Sequence, residues 1–257
     1  MQKEKEEKEL NKIAPDILYE DTDVVVINKP AGVAVHNDGI KKEPTIADWL
    51  LEYDPEVEGV GEVQYSPKTG EALNRSGIVH RLDYDTSGVL LLAKHKEAFL
   101  HCKEQFQNRL VKKEYRAFVY GTMPDKWGTI ERPIGRSAKD FRKRSAERGA
   151  RGTLREAVTD WEVIQEGKYK EEAFSYVSLY PKTGRMHQLR VHCKAIGRPI
   201  VVDTLYAGKR LEQSNNLDFP RLALHAYQLT ITLPSGNEYM LAAPLPDVFI
   251  KACEYIA

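Results

Sequence analysis

Cysteine is scarce in this chain. Its 257 residues include three, Cys102, Cys193 and Cys253, too few and too widely spaced for a disulfide framework or a cysteine zinc site. A reducing cytoplasm is the expected compartment for such a chain. Long apolar runs are also missing. None approaches the roughly 20 residues that cross a bilayer, so no membrane partner is expected. The opening MQKEKEEKELNK has no apolar stretch behind its basic residues, and no secretory signal is expected there. No group of His, Cys and carboxylates has metal-ligand spacing. His187 and His192 stand five residues apart, not the four that put two ligands on one helix face, so no metal is expected. Net charge is absent too, with 38 Lys and Arg against 38 Asp and Glu. Any electrostatic footprint for nucleic acid must therefore be local.

One stretch can supply it. RPIGRSAKDFRKRSAERGARGTLR, Arg132 to Arg155, is dense in basic residues, with Arg136, Arg142 and Arg144 as candidate contacts. On charge alone, a solvated surface loop explains it equally well.

Periodicity predicts a strand-rich chain with a few helices, an α+β or mixed α/β unit. Residues 1–12 read as a frayed helix or disordered tail, and 13–257 as one domain. Val24–Ile27 is a β-branched run closed by a Lys-Pro-Ala-Gly turn. Thr45 is placed to cap a helix over IADWLLEY. Residues 54–76 have no period and read as an exposed loop. Gly88–Ala93 has the length and continuity of a buried strand, and Phe99, Cys102, Phe106 and Leu110 follow at helical spacing. VKKEYRAFVYG alternates as a strand, with Tyr115, Ala117 and Val119 on one face. Further strands are predicted over 157–164, 173–179 and 227–233, the last turning at Pro234–Asn237 into 238–242. Met186, Leu189, Cys193 and Ile196 form a helical stripe that stops at Gly197, with His192 on the polar surface and His187 as a structural hydrogen-bonder.

The chemistry concentrates in His80-Arg81-Leu82-Asp83-Tyr84-Asp85-Thr86-Ser87-Gly88, which joins an irregular loop to a buried strand. A carboxylate there can attack an electrophilic carbon. The same residues are also good turn formers, with side chains bonding their own backbone. Asp85 could pair with Asp83 as glycosidase carboxylates do, but its place in the motif is that of a turn residue. His80 is expected to orient the loop. Taken alone, Tyr115 is a strand core aromatic and Arg185 a helix-start arginine.

These segments resemble the RluA family of pseudouridine synthases. HRLDYDTSGVLLLAK is similar to its signature of His-Arg-Leu-Asp, two variable residues, Thr-Ser-Gly, an apolar strand and Ala-Lys. YEDTDVVVINKPAGVAVH resembles the family's opening strand and turn, KKEYRAFVYG its Lys-x-Tyr segment, RPIGR the start of an RNA-gripping loop, and TGRMHQLRVH its Gly-Arg-Thr-His-Gln-Ile-Arg segment. GRPIVVDTLYAG, LHAYQLTITLP and LAAPLP complete the series in family order, from about residue 17 to 246. Met186 stands where threonine is usual, and Val202 where glycine often precedes Asp203.

The resemblance implies a single catalytic domain with a central, largely antiparallel mixed sheet flanked by helices and loops. It implies isomerisation of uridine in structured RNA, rRNA before tRNA. No cofactor is expected, since bonds are exchanged inside one substrate, and a monomer with no obligatory protein partner is the default. Asp83 matches the nucleophile and Arg185 an arginine that pairs with it. Tyr115 matches a tyrosine that stacks on the flipped uracil and takes part in the last proton transfer. Arg81 matches an arginine that displaces the target base, and Leu189 a residue packed against the uracil ring. Two rivals follow from the same residues. One is an RNA-binding module without catalysis, opposed by the intact Asp83, Tyr115 and Arg185. The other is an aspartate-dependent nucleosidase, for which Asp85 is the only near partner.

Overall fold

The computed structural model describes residues 13–37, 43–66, 69–140, 142–147, 150–210 and 215–257. The tail expected over 1–12 lies outside the described residues. In chain order, strands β1 (Asp16–Glu20) and β2 (Val24–Lys29) lead to helix α1 (Ile46–Tyr53), a 3-10 turn over Pro55–Val57, and the short strands β3 (Gln64–Tyr65) and β4 (Ala72–Leu73). Then come β5 (Ser87–Ala93), α2 (Lys96–Gln107), β6 (Lys112–Tyr120), β7 (Trp127–Glu131), β8 (Ile134–Arg136), β9 (Arg144–Ser145) and β10 (Arg151–Arg155). The path closes with β11 (Val158–Tyr169), β12 (Glu172–Pro181), α3 (Gln188–Ala195), β13 (Leu224–Thr232), β14 (Glu238–Ala242) and α4 (Asp247–Tyr255). The class is α+β, as expected. The chain divides into two compact units, Met1–Lys112 with Gln228–Pro244, and Lys113–Tyr227 with Leu245–Ala257.

In the first unit β2 pairs antiparallel with β1 and with β5, in a register running from Val24↔Ala93 to Lys29↔Gly88. Every residue of β5 is buried, which is why its sequence is continuously apolar instead of alternating. Val24, Val26, Val89 and Leu91 pack with Cys102 of α2, Leu229 and Ile231 of β13 and Leu241 of β14. Thr45 caps α1 as expected: its amide donates to Asp48 Oδ2 (2.9 Å), and its hydroxyl accepts from the Asp48 amide (3.4 Å). Such a reciprocal cap is worth about 1 kcal/mol. Gly77 holds φ +72°, and a Cβ there would meet Leu50 Cδ2 at 2.5 Å and the Ala93 carbonyl at 2.6 Å. Only glycine lets this backbone lie against β5.

Two expectations fail in this unit. Segment 54–76 is not a plain exposed loop: it carries the 3-10 turn and the β3–β4 pair, and it buries Val57 and Val60. Leu110 does not continue the stripe of α2. The helix ends at Gln107, Arg109 turns left-handed at φ 59°, and Leu110 emerges 58% exposed.

In the second unit β6, β12, β11 and β7 pair antiparallel in that order. Phe118, Phe174, Val177 and Leu179 form its core with Leu189 and Cys193 of α3 and Phe249 of α4. Helix α3 is shorter than its apolar stripe: Met186 lies before it, 46% exposed, and His187 enters it left-handed at φ 56°. His192 is not on the surface. It is fully buried, with Nδ1 2.9 Å from Thr159 Oγ1 and Nε2 3.0 Å from the Arg132 carbonyl, and burial lowers its pKa. Polarity alone could not reveal this, because buried polar groups are tolerated once they are bonded.

The basic stretch is more ordered than a loop. β8, β9 and β10 form a small antiparallel sheet, and Ile134 packs beneath it with Ala157, Val191 and Tyr206. Val202 sits at φ 55° in a turn. That conformation suits glycine and is costly for a β-branched side chain.

Candidate active site

The loop before β5 is held from three sides in the first unit. His80 Nε2 accepts the amide of Leu91 (3.0 Å), taking the place of a strand partner, and its ring stacks on Phe106 of α2 at 4.5 Å between centroids. The loop-orienting role expected of His80 is what the structure shows. Leu82 anchors the loop by burial. Beyond it the chain turns, with the Thr86 amide donating to the Asp83 carbonyl (3.1 Å).

The third attachment involves Lys29, the last residue of β2. Its side chain is fully buried, and Nζ donates to the carbonyls of Pro30 (2.7 Å), Val33 (2.8 Å) and Tyr84 (3.2 Å). The Gly32 amide donates to the same Tyr84 carbonyl (2.9 Å). An ammonium has three protons, and three carbonyls take them. The turn 30–33 and the residue after Asp83 are thereby tied to one charge, and Asp83 is presented half-exposed between pinned neighbours. Sequence reasoning passed over Lys29, since a buried lysine at a strand end looks like a solvated one until the chain folds over it.

Arg81 is exposed, and its Nη1 lies 3.3 Å from Nε2 of the buried His36. Arg75 is close enough to feel its charge. Burial and then the Arg81 guanidinium lower the Arg75 pKa, and its buried Nε has no hydrogen-bond partner.

The other expected residues lie in the second unit. Tyr115 is half-buried on β6 opposite Leu179 and packs on the core. Leu189 is 6% exposed in the first turn of α3. Arg185 precedes that helix. Its Nε donates to the Glu156 carbonyl (2.8 Å) and its amide to Gln188 Oε1 (3.0 Å). The buried Gln188 is itself held by the Thr183 hydroxyl (2.7 Å) and donates to the Val158 carbonyl (3.0 Å). A polar network therefore sets the backbone of Arg185.

Behind α3 lies a buried ion pair that sequence reasoning missed. Arg190 Nε and Nη2 reach the two carboxylate oxygens of Asp203 at 2.8 Å each, and Asp203 Oδ1 also accepts the amides of Leu205 and Tyr206. Tyr206 Oη accepts the Arg144 amide (2.9 Å) and bonds His187 Nδ1 (2.9 Å), so one phenol ties the basic sheet to the start of α3. Arg136 is exposed on β8. Arg142 instead forms a two-pronged pair with Asp140, through Nε to Oδ1 (3.1 Å) and Nη2 to Oδ2 (2.8 Å). This pair holds the Asp140 carboxyl down at about 2. Among the described residues no group of three or more His, Cys, Asp or Glu could hold a metal.

Comparison with known proteins bears on all of these segments. The family profile described as RNA pseudouridylate synthase matches residues 23–195. An uncharacterized RNA pseudouridine synthase of Synechocystis is 37% identical over 246 residues, covering 94% of this chain and 68% of that protein. Ribosomal large subunit pseudouridine synthase D of Nitrosomonas europaea is 35% identical over 236 residues, covering 90% of this chain and 62% of that protein. Among solved structures, human RNA Pseudouridylate Synthase Domain Containing 1 superposes with a TM-score of 0.71 at 28% identity, covering 93% of this chain and 87% of that one. Human RNA Pseudouridylate Synthase Domain Containing 4 gives 0.69 at 26%, covering 99% and 96%.

Proposed function

Because this chain belongs to the RNA pseudouridylate synthase family and is an isomerase acting on RNA, we propose that it converts uridine to pseudouridine in structured rRNA with Asp83 as nucleophile. In the reaction the N1–C1′ bond of uridine breaks, a C5–C1′ bond forms, the C5 proton goes to solvent and N1 gains one. Substrate and product are isomers, so the chemistry balances within one nucleoside. The observation that carries the assignment is the bracing of the Asp83 loop by Lys29, Gly32 and His80, which holds a carboxylate half-exposed at a defined place. Preorganised reacting groups lower a barrier without reorganisation at the moment of reaction.

Residues 13–257 are taken as one catalytic domain. The target base leaves its stack at a cost of a few kcal/mol. Arg81 displaces it and fills the gap, and Tyr115 stacks on the extruded uracil and serves the last proton transfer. Arg185 is the arginine that assists the nucleophile, while Leu189 packs against the ring. Arg136, Arg142 and Arg144 hold the RNA backbone. Several relatives are named ribosomal large subunit pseudouridine synthase D, which supports rRNA over tRNA as the substrate. The enzyme acts as a cytoplasmic monomer without cofactor or obligatory partner.

The test is incubation with unmodified rRNA and tRNA transcripts, mapping product by chemical labelling and mass spectrometry. Wild type yields pseudouridine at defined rRNA positions. Asp83→Asn lowers turnover by about 1,000-fold or more while RNA still binds. Tyr115→Phe also binds RNA and turns over slowly. No pseudouridine on any RNA would overturn the activity, and full activity of Asp83→Asn would overturn the nucleophile.

A further inference from the structure

His36 closes the AVH segment after the Lys-Pro-Ala-Gly turn, and nothing in the reaction scheme uses it. It is 6% exposed, so its imidazole makes its bonds inside the protein. Nδ1 lies 3.0 Å from the carbonyl of Asn37. A carbonyl can only accept, so Nδ1 carries the proton. In the neutral ring Nε2 is then left with a lone pair and no hydrogen. Arg81 Nη1 lies 3.3 Å from that nitrogen and can only donate. The Asn37 carbonyl thus selects the tautomer, and the tautomer makes His36 an acceptor aimed at the guanidinium of Arg81.

We propose that His36 is a positioning residue that acts through Arg81, presetting the guanidinium that displaces the target base. The proposal rests on the role assigned to Arg81 above. An exposed arginine samples many rotamers, and most would have to be abandoned before it enters a base stack. One bond to a buried, immobile ring removes much of that search before RNA arrives. His36 therefore affects the rate of base displacement and the chemistry that follows it, with little effect on how tightly the RNA backbone is held.

The substitutions separate this from a packing role. His36→Phe keeps the ring and removes both bonds. His36→Gln places an amide oxygen near the former Nε2 and restores an acceptor for Arg81. His36→Asn is too short to reach it. The substrate is large-subunit rRNA transcribed with 5-tritiated uridine, and the readout is single-turnover tritium release with RNA affinity measured alongside. His36→Phe slows release about tenfold, the loss of one hydrogen bond to a charged group, at unchanged RNA affinity. His36→Gln recovers most of the rate and His36→Asn does not. In an Arg81→Ala background His36→Phe has no further effect.

Equal rates for the Gln and Asn variants, or multiplying effects of His36→Phe and Arg81→Ala, would overturn the proposal even if the Phe variant folded poorly. A second measurement needs no activity. In histidine-labelled protein, nitrogen NMR shows His36 as the Nδ1–H tautomer, and Arg81→Ala shifts its Nε2 resonance. An unmoved resonance overturns the positioning role. A shifted resonance in a protein that makes no pseudouridine supports the His36–Arg81 bond and counts against the activity instead.

Discussion

Lys29 Nζ donates to the carbonyl of Tyr84, 55 residues away in sequence and one residue past Asp83, at 3.2 Å. The bond joins the end of β2 to the loop before β5, whose strands are already in register through Lys29↔Gly88. The candidate nucleophile is thus tied to the buried β2–β5 pair of its unit.

Replacing Lys29 by Met keeps the length and removes the donors. The half-buried carbonyls of Pro30 and Val33 then lose their ammonium partner, and the Tyr84 carbonyl loses its bond to the lysine while keeping the Gly32 amide. The expected cost is on the order of 3 kcal/mol, read as a lower urea midpoint. Turnover falls further than the folded fraction does, because the Asp83 loop loosens in molecules that remain folded.

The arginines of the basic sheet should contribute unequally. Arg142 already shares its charge with Asp140, whereas Arg136 is exposed on β8. Glutamate at Arg136 should lower the slope of log affinity against log salt by about 1, the signature of one lost phosphate contact. Glutamate at Arg142 should change it less. Filter binding of rRNA across a salt series measures both.

Breaking the Arg190–Asp203 pair should unfold more than it disarms. Arg190 is 5% exposed and Asp203 is fully buried. Arg190→Met strands a carboxylate in the interior with only two amides, at a cost of about 3–5 kcal/mol. A melting curve shows the loss. It extends to the hold on the basic sheet, because Tyr206 receives both the Asp203 cap and the Arg144 amide.

His95 makes stability depend on pH. It caps α2, and its hydrogen bond to Asp23 is the main cause that raises its pKa above the ordinary 6.5; burial opposes this and Glu97 adds to it. A folded-state pKa above the unfolded one means the contribution is fully present below about pH 6.5 and is lost as pH rises through the raised value. The residue is 41% exposed, so the effect is small. Urea midpoints should decline across that window in wild type and flatten in His95→Gln.

Much of the fold was legible because it rests on local rules. β2 and β5 announce themselves by continuous β-branched and apolar runs, α1 by its Thr45 cap, and the β13–β14 hairpin by Pro-Ser-Gly-Asn. The misreadings have two physical sources. Leu110 and Met186 lie at helical spacing but outside their helices, because a left-handed residue at 109 and another at 187 end or delay the helix. His192 looked solvated, and the order of the basic segment stayed open, because polarity does not report the Thr159, Arg132 and Tyr206 groups that bury or order them.

By itself the sequence determined which residues are the candidates for the chemistry. Asp83, Arg81, Tyr115 and Arg185 stand in ordered motifs, and motif order is a property of the chain. Tertiary structure alone decided what holds them. The Lys29 ammonium clasping the Tyr84 carbonyl, the His36 tautomer facing Arg81 and the Arg190–Asp203 pair join groups 13 to 55 positions apart. Each depends on desolvation and on distances of about 3 Å, which exist only once the backbone has closed.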